Sequence, residues 1–188
     1  MNKLKSTLLM ALAMASTQAI SSNFSYSYLD LAIGDLEIGD YDDGEFTAIE
    51  GGYQLQGNLF LNFDFITHDY SGYEVDYIKY GLGMFSSLGS NADVYGTFQI
   101  VDVETDNGSD DTGNQLELGA RIALTKHLEF DGKLMRLKID DDTSTGYTSS
   151  LRFYTTPNLA FGGGYKVWEG EDGADDTEIL YANVRFNF

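Results

Sequence analysis

The sequence predicts an all-β protein, a closed antiparallel β-barrel whose strands cross a membrane, and three observations carry this prediction. Ten segments alternate apolar and polar side chains with the two-residue period of a strand. No apolar run, including the short one at 8–15, is long enough for a transmembrane helix. The chain has 13 Tyr, 12 Phe and 21 Gly but only 1 Pro, a composition that favours strands and tight turns.

The first residues have the pattern of a secretory signal peptide. A basic start at residues 1–5 precedes a short apolar run at 8–15, and Thr17 and Ala19 are small residues at positions −3 and −1 of a cleavage site. We therefore predict a leader over residues 1–19 and a single barrel domain over residues 20–188. The chain has no Cys, so its rigidity has to come from the fold and not from disulfides.

The alternating segments have the lengths that membrane-spanning strands need, roughly 9 to 11 residues each. They are 24–34, 46–56, 58–68, 74–85, 92–102, 115–125, 128–138, 147–155, 159–168 and 178–188. One face of each segment is apolar, as in Leu59, Leu61 and Phe63. An alternative with eight strands would have to discard two well-patterned segments, 74–85 and 92–102.

A soluble β-sandwich would also alternate, so the connections between the segments have to decide between the two folds. Those at 56–57, 86–91, 125–127 and 155–158 are short. Those at 35–45, 103–114, 139–146 and 169–177 are longer, and only 69–73 breaks the rule. An even number of strands with short turns at one rim and long loops at the other is typical of a membrane barrel with both termini on the short-turn side.

The last segment, 178–188, ends in Phe186-Asn-Phe188 and carries Arg185 on its polar face. Since a lipid-facing Arg would be costly, that face should line a polar lumen. A final strand that ends in an aromatic residue resembles the assembly signal of bacterial outer-membrane barrels. Together with the leader and the ten segments, it makes the chain similar to the small porin-like, OmpA-type superfamily. The resemblance implies a place in the cell outer membrane, a monomer, and membrane lipids and the barrel-assembly machinery as partners.

The polar faces of the segments carry charges of both signs, which we predict to form an ion-pair network inside the barrel. Asp64 is expected to meet Lys79, and Arg185 to meet Asp30 where the barrel closes. The lumen candidates are Asp30, Glu50, Asp64, Lys79, Glu117, Arg121, Asp131, Lys133, Arg152, Lys166 and Arg185. Side chains should fill so narrow a barrel and leave at best a thin wet path.

Acidic residues outnumber basic ones by 30 to 11, and most lie in the predicted long loops. The exposed surface should therefore attract cations and repel anions. Weakly bound divalent cations are the only cofactors we expect, because clustered carboxylates suit them but the spacing does not fit the twelve-residue calcium loop. The weak metal candidates are Asp40, Asp42, Asp43, Glu45, Glu171, Asp172, Asp175 and Asp176. With no basic patch, nucleic-acid partners are not expected.

Aromatic residues near segment ends should form girdles at the membrane boundary. They are Tyr26, Tyr28, Tyr70, Tyr73, Tyr147 and Trp168.

The only histidines are His68 and His127, and His68 with Asp69 and Ser71 is the sole arrangement that merits inspection for catalysis. Since His68 and Asp69 face opposite sides of a strand, we predict no enzyme. The expected role is that of an envelope protein with acidic extracellular loops. A narrow cation-preferring channel and an adhesion or partner-binding barrel are the alternatives.

Overall fold

The protein forms a closed barrel of ten antiparallel strands. The computed structural model describes residues 24–39, 42–70, 72–106, 108, 110–170 and 176–188, and of Asp42 and Asp43 only the backbone. The strands are β1 Tyr28–Ile38, β2 Asp42–Gln54, β3 Leu59–Tyr70, β4 Tyr73–Ser87, β5 Ala92–Thr105, β6 Asp110–Ala123, β7 Leu128–Ile139, β8 Asp142–Thr156, β9 Leu159–Glu169 and β10 Thr177–Asn187. The prediction of a ten-stranded barrel is confirmed and the eight-stranded alternative is wrong, whereas the predicted leader, 1–19, lies outside the described residues.

The barrel closes where β1 pairs with β10. Asp30 lies opposite Arg185 and Leu31 opposite Val184, so polar meets polar and apolar meets apolar across the seam. A slip of one residue would turn every side chain of β10 to the other face and expose Arg185 to lipid. The two-residue period therefore fixes the register of closure.

The outer surface is a belt of large apolar side chains. Leu118, Leu134 and Leu180 are each exposed by more than 60% although they are fully apolar. No second layer of protein covers this belt among the described strands, so the β-sandwich alternative is wrong. Hydrocarbon is the solvent that such a continuous apolar exterior requires. The described residues include no helix long and apolar enough to span a membrane.

One rim of the barrel differs from the prediction, because its strands continue well beyond the apolar segments. The expected long loops 35–45, 103–114 and 139–146 shrink to connections at 39–41, 106–109 and 140–141. Alternation of apolar residues marks the part of a strand that contacts lipid, whereas backbone pairing continues above it through acidic residues. We call this end, with its connections at 39–41, 71–72, 106–109, 140–141 and 170–176, the acidic rim.

The other end is the terminal rim, which holds both described chain ends and the connections 55–58, 88–91, 124–127 and 157–158. The predicted first strand, 24–34, is displaced toward the acidic rim, since β1 begins only at Tyr28. Residues 24–27 instead fold into the mouth of the barrel, where Tyr26 is almost completely buried. The terminal rim is therefore capped by the chain that leads into β1.

Candidate functional site

The barrel interior consists of three successive layers of side chains. Next to the terminal rim is an aromatic layer of Phe24, Tyr26, Phe60, Phe85 and Tyr95. Toward the acidic rim is an apolar layer that includes Leu36, Phe46, Ile66, Val101, Leu137 and Ile179. Between them is a charged layer, which reaches past the aromatic residues to the terminal rim at Asp93, Arg121 and Glu129. It has seven acidic and six basic residues: Asp30, Glu50, Asp64, Asp93, Glu117, Glu129, Asp131, Lys79, Arg121, Lys133, Arg152, Lys166 and Arg185.

Glu129 is the centre of the ion pairs nearest the terminal rim. Arg121 donates to both of its carboxylate oxygens at 3.0 Å, from Nε and from a terminal guanidinium nitrogen. Arg152 donates to Glu129 Oε1 at 3.0 Å and to Asp131 Oδ2 at 3.1 Å, and the Tyr154 hydroxyl donates to Glu129 Oε2 at 2.9 Å. This carboxylate thus joins β6, β7 and β8 with short, charge-assisted hydrogen bonds.

Asp30 forms a second centre, at the seam. Its carboxylate accepts hydrogen bonds from Arg185 Nε at 2.8 Å and from Asn183 Nδ2 at 2.6 Å, and it lies 3.6 Å from Arg152 Nε. Since Arg152 also contacts Glu129, the two centres form one network across the lumen. Lys133 and Glu117 form a separate pair at 3.2 Å.

The predicted pair of Asp64 and Lys79 does not form, although the two residues are opposite each other in the β3–β4 register. Lys79 Nζ donates instead to Gln115 Oε1 at 2.9 Å, and Asp64 Oδ2 accepts from Gln99 Nε2 at 2.7 Å. The two amides come from β6 and β5, and both are fully buried. Side-chain amides from two strands away therefore replace an ion pair between neighbouring strands.

Two buried carboxylates, Asp93 and Glu129, are absent from the sequence-based set. Glu129 is in phase with Asp131 and Lys133, and Asp93 is in phase with the buried polar residues Thr97 and Gln99, so the two-residue period contained the signal. Their positions at the starts of β5 and β7, beside turns, make them resemble solvated turn residues in the sequence.

The space that remains inside the charged layer is small. It is a cavity of about 50 Å³ among Glu50, Asp64, Lys133 and Arg185, room for on the order of one or two water molecules. Toward the acidic rim a separate vestibule of about 280 Å³ opens above Lys79 and Lys166. Lys166 lines both the cavity and the vestibule. A further opening of about 470 Å³ lies at the terminal rim, beside Phe24 and Glu129.

The predicted aromatic girdle is largely wrong, because five of its six members face inward. Tyr26 is in the aromatic layer, and Tyr28 lies under the guanidinium of Arg185 at 4.0 Å. Tyr70, Tyr73 and Trp168 pack against the apolar layer. Only Tyr147 has a large exposed surface on the outside. Proximity to a strand end does not reveal on which face of the strand a side chain lies.

His68 is an interior residue with aromatic neighbours. Its ring lies 5.8 Å from that of Phe46 and 5.2 Å from that of Tyr77. Asp69 belongs to the opposite face of β3, and Ser71 lies outside the described residues. His68 and Asp69 are therefore not brought together by the strand.

The weak metal candidates lie at the acidic rim, and most of them fall outside what the structure describes. This applies to Asp40, Glu171, Asp172 and Asp175 and to the side chains of Asp42 and Asp43. Glu45 points outward, and Asp176 Oδ1 accepts a hydrogen bond from the backbone of Gly170 at 2.9 Å. The described residues contain no group of three or more His, Asp or Glu that could hold a metal ion. Divalent-cation binding stays a prediction.

Comparisons with known proteins show which family and which solved structures this barrel is similar to. The family model of the outer membrane protein beta-barrel domain matches residues 6–188. An outer-membrane channel from Pseudomonas putida F1 is 9% identical, with 91% of this chain and 98% of that chain covered and a TM-score of 0.57. The NanC porin is 13% identical, with 85% and 100% covered and a TM-score of 0.56. The β domain of the Bordetella autotransporter BrkA is 11% identical, with 86% and 98% covered and a TM-score of 0.50.

At these identities the three solved structures show a common fold and nothing finer. No curated protein matches the chain significantly in sequence.

Proposed function

The chain belongs to the outer membrane β-barrel family and is a protein of the cell outer membrane; from this premise we propose that it is a closed, non-enzymatic envelope protein that presents an acidic surface. The observation that carries the proposal is the filled interior. Aromatic, charged and apolar side chains occupy the lumen, and the central cavity among Glu50, Asp64, Lys133 and Arg185 measures only about 50 Å³. A barrel filled in this way is suited to a structural or surface role rather than to bulk diffusion of solutes.

In the proposed orientation the terminal rim faces the periplasm and the acidic rim faces outward. The predicted leader at 1–19 would direct the chain across the inner membrane and be removed. The protein would be a monomer, with its apolar belt in contact with membrane lipids. Phe186, which is half exposed on the lipid side, and Phe188 would form the signal that the barrel-assembly machinery recognises. Carboxylates on the strand ends would then repel anions and attract cations at the cell surface.

A narrow cation-preferring channel is the second candidate function. The observation in its favour is charge, since acidic residues exceed basic ones in the charged layer and dominate the acidic rim. Conduction would require the side chains of all three layers to move aside together. An adhesion or partner-binding role would use the acidic rim alone and would leave the lumen closed.

Single-channel recording in planar lipid bilayers tests the closed barrel against the channel. The refolded protein, checked for heat-modifiable migration on a gel, should give no conductance steps under any salt gradient. Phe46→Ala, which opens only the apolar layer, should also give none. Steps from the wild-type protein with reversal potentials that follow the cation gradient would contradict the proposal and establish the channel.

A further inference from the structure

Two of the six basic residues in the charged layer, Lys79 and Lys166, differ from the others in their partners. Arg121, Lys133, Arg152 and Arg185 each have a carboxylate oxygen within 4 Å. Within the described part of the chain, neither Lys79 nor Lys166 has one. Both side chains are 95% buried, so water does not replace the missing anion to the extent it would at the surface.

Aromatic rings surround these two ammonium groups. Lys166 Nζ lies 5.0 Å from the centre of the Phe46 ring, and Lys79 Nζ lies 5.7 Å from the rings of Tyr77 and Trp168. Cation–π contacts compensate for part of the desolvation of an ammonium group but supply no negative charge. Lys79 and Lys166 thus share the charged layer with Glu50, Asp64 and Glu117. No carboxylate oxygen of the described residues lies within 4 Å of either ammonium group, so an anionic head could still be bound directly beside them.

Both lysines lie at the floor of the vestibule, whose walls combine apolar side chains with polar ones such as His68, Ser144 and Glu169. Val75, Leu137, Ile66 and Trp168 line the walls, and Thr177 and Gly170 lie near its opening at the acidic rim. Its volume of about 280 Å³ is close to the lower end, about 300 Å³, of ordinary small-molecule sites. It has room for on the order of nine water-sized groups, which corresponds to a chain of medium length.

We propose that the vestibule binds a medium-chain amphiphile with a single carboxylate head, the head at Lys79 and Lys166 and the chain against the apolar side chains of the walls. Charge-assisted hydrogen bonds to two ammonium groups would fix the head. Burial of the chain would supply most of the affinity. The acidic rim favours such a ligand over polyanions, because repulsion from the rim grows with the charge of the ligand.

The single tryptophan of the chain makes the site directly observable. Trp168 lines the vestibule, so its fluorescence reports contact with a heavy-atom quencher held there. The full barrel is placed in phosphatidylcholine nanodiscs, which avoids detergent in the site, and is titrated with decanoate brominated at its terminal carbon. Quenching at the site should be saturable and should be reversed by excess unlabelled decanoate. Quenching by probe dissolved in the bilayer would not saturate and would not be reversed by the competitor.

Variants and a neutral probe separate the carboxylate site from adventitious partitioning. Lys79→Met and Lys166→Met should each weaken binding about tenfold, as expected for the loss of one charge-assisted hydrogen bond. Lys126→Met, at the terminal rim, is the matched control and should bind as the wild type does. Decanol, which has the same chain without the charge, should compete at least tenfold less well than decanoate.

Ser144→Phe provides a test that leaves both lysines in place, because Ser144 lines the vestibule and a ring there would fill it. This variant should abolish saturable quenching. The proposal is overturned if wild-type quenching is not saturable, if either lysine variant or Ser144→Phe binds decanoate as the wild type does, or if decanol competes as well as decanoate. Because conductance plays no part in the assay, its result is separate from that of the closed-barrel proposal.

Discussion

Individual residues in the lumen differ sharply in how well their charge is compensated. Glu129 accepts hydrogen bonds from two arginines and a tyrosine and is almost completely buried. Lys166 is also buried, but its ammonium group lies over the face of Phe46 and has no carboxylate oxygen within 4 Å among the described residues. Breaking a satisfied network leaves a charge without its partner, whereas removing an uncompensated charge removes a cost. Substitutions at the two positions should therefore have opposite effects on stability.

The neutral substitution Glu129→Gln should lower the free energy of unfolding by about 3 to 5 kcal/mol, because it leaves Arg121 and Arg152 without their shared carboxylate. The measurement is urea unfolding of the barrel in lipid vesicles. Glu104→Gln is the control, since this exposed residue near the end of β5 has no carboxylate-to-arginine contact in the described structure, and it should change little. Equal stability of the two variants would contradict the assigned role of Glu129.

Lys166→Met, in contrast, should leave the free energy of unfolding unchanged or raise it. Methionine has nearly the shape of lysine and needs no anion, so burial no longer carries a desolvation cost. The same urea titration measures the effect, with Lys133→Met for comparison because Lys133 has an ion pair with Glu117. If Lys166→Met destabilised the barrel more than Lys133→Met, Lys166 would have a structural partner that the described residues do not show.

At the scale of elements, the sequence predicted the number of strands and their apolar faces, but not where the strands end. Periodicity reports contact with lipid, so the acidic extensions of β1, β2, β5 and β6 resembled loops. It also could not predict that residues 24–27 turn inward, because Tyr26 and Tyr28 continue the alternation of β1. The partners of Tyr26 come from β3, β4 and β5 and are distant in sequence.

The segment 24–27 should contribute to stability mainly through Tyr26. Its ring stacks on Phe85 with centroids 4.3 Å apart and tilts against Phe60 at 4.7 Å. Tyr26→Ala should lower the free energy of unfolding by about 3 kcal/mol, as is typical for the loss of a buried aromatic side chain. Tyr53→Ala, an exposed tyrosine on β2, is the matched control in urea unfolding. A Tyr26→Ala variant as stable as that control would mean that the segment does not occupy the mouth.

The strand extensions place like charges directly opposite one another. On the outer face Asp35, Glu45, Asp69 and Glu74 form one row across β1 to β4. Since opposed like charges destabilise a sheet, the barrel should become more stable as salt screens them, with a screening length of about 3 Å at 1 M. Urea unfolding at low and high salt measures this gain, and Asp69→Asn should reduce it. A stability independent of salt would rule out the row as a source of strain.

For the whole molecule, the fold and the polar lumen were accessible from sequence because both follow from the two-residue period. Asp30 and Arg185 illustrate this, since knowledge of the faces and of closure is enough to bring them together. Which side chains pair with one another inside the lumen could not be predicted from the sequence. Lys79 contacts Gln115 rather than Asp64 because its side chain extends past the neighbouring strand β5 to β6, and which side chains can meet in this way depends on the diameter and tilt of the closed sheet. The vestibule likewise arises only when strands distant in sequence meet.

The claim that the lumen is closed can be tested most directly by introducing single cysteines, since the chain has none. Ser150 lies beside the small central cavity and is 97% buried, and Cys is nearly isosteric with it. Ser150→Cys should resist a charged, membrane-impermeant thiol reagent added to both sides of a vesicle, while Ser144→Cys in the vestibule should react. Rapid labelling of Ser150→Cys in the folded barrel would contradict a filled lumen.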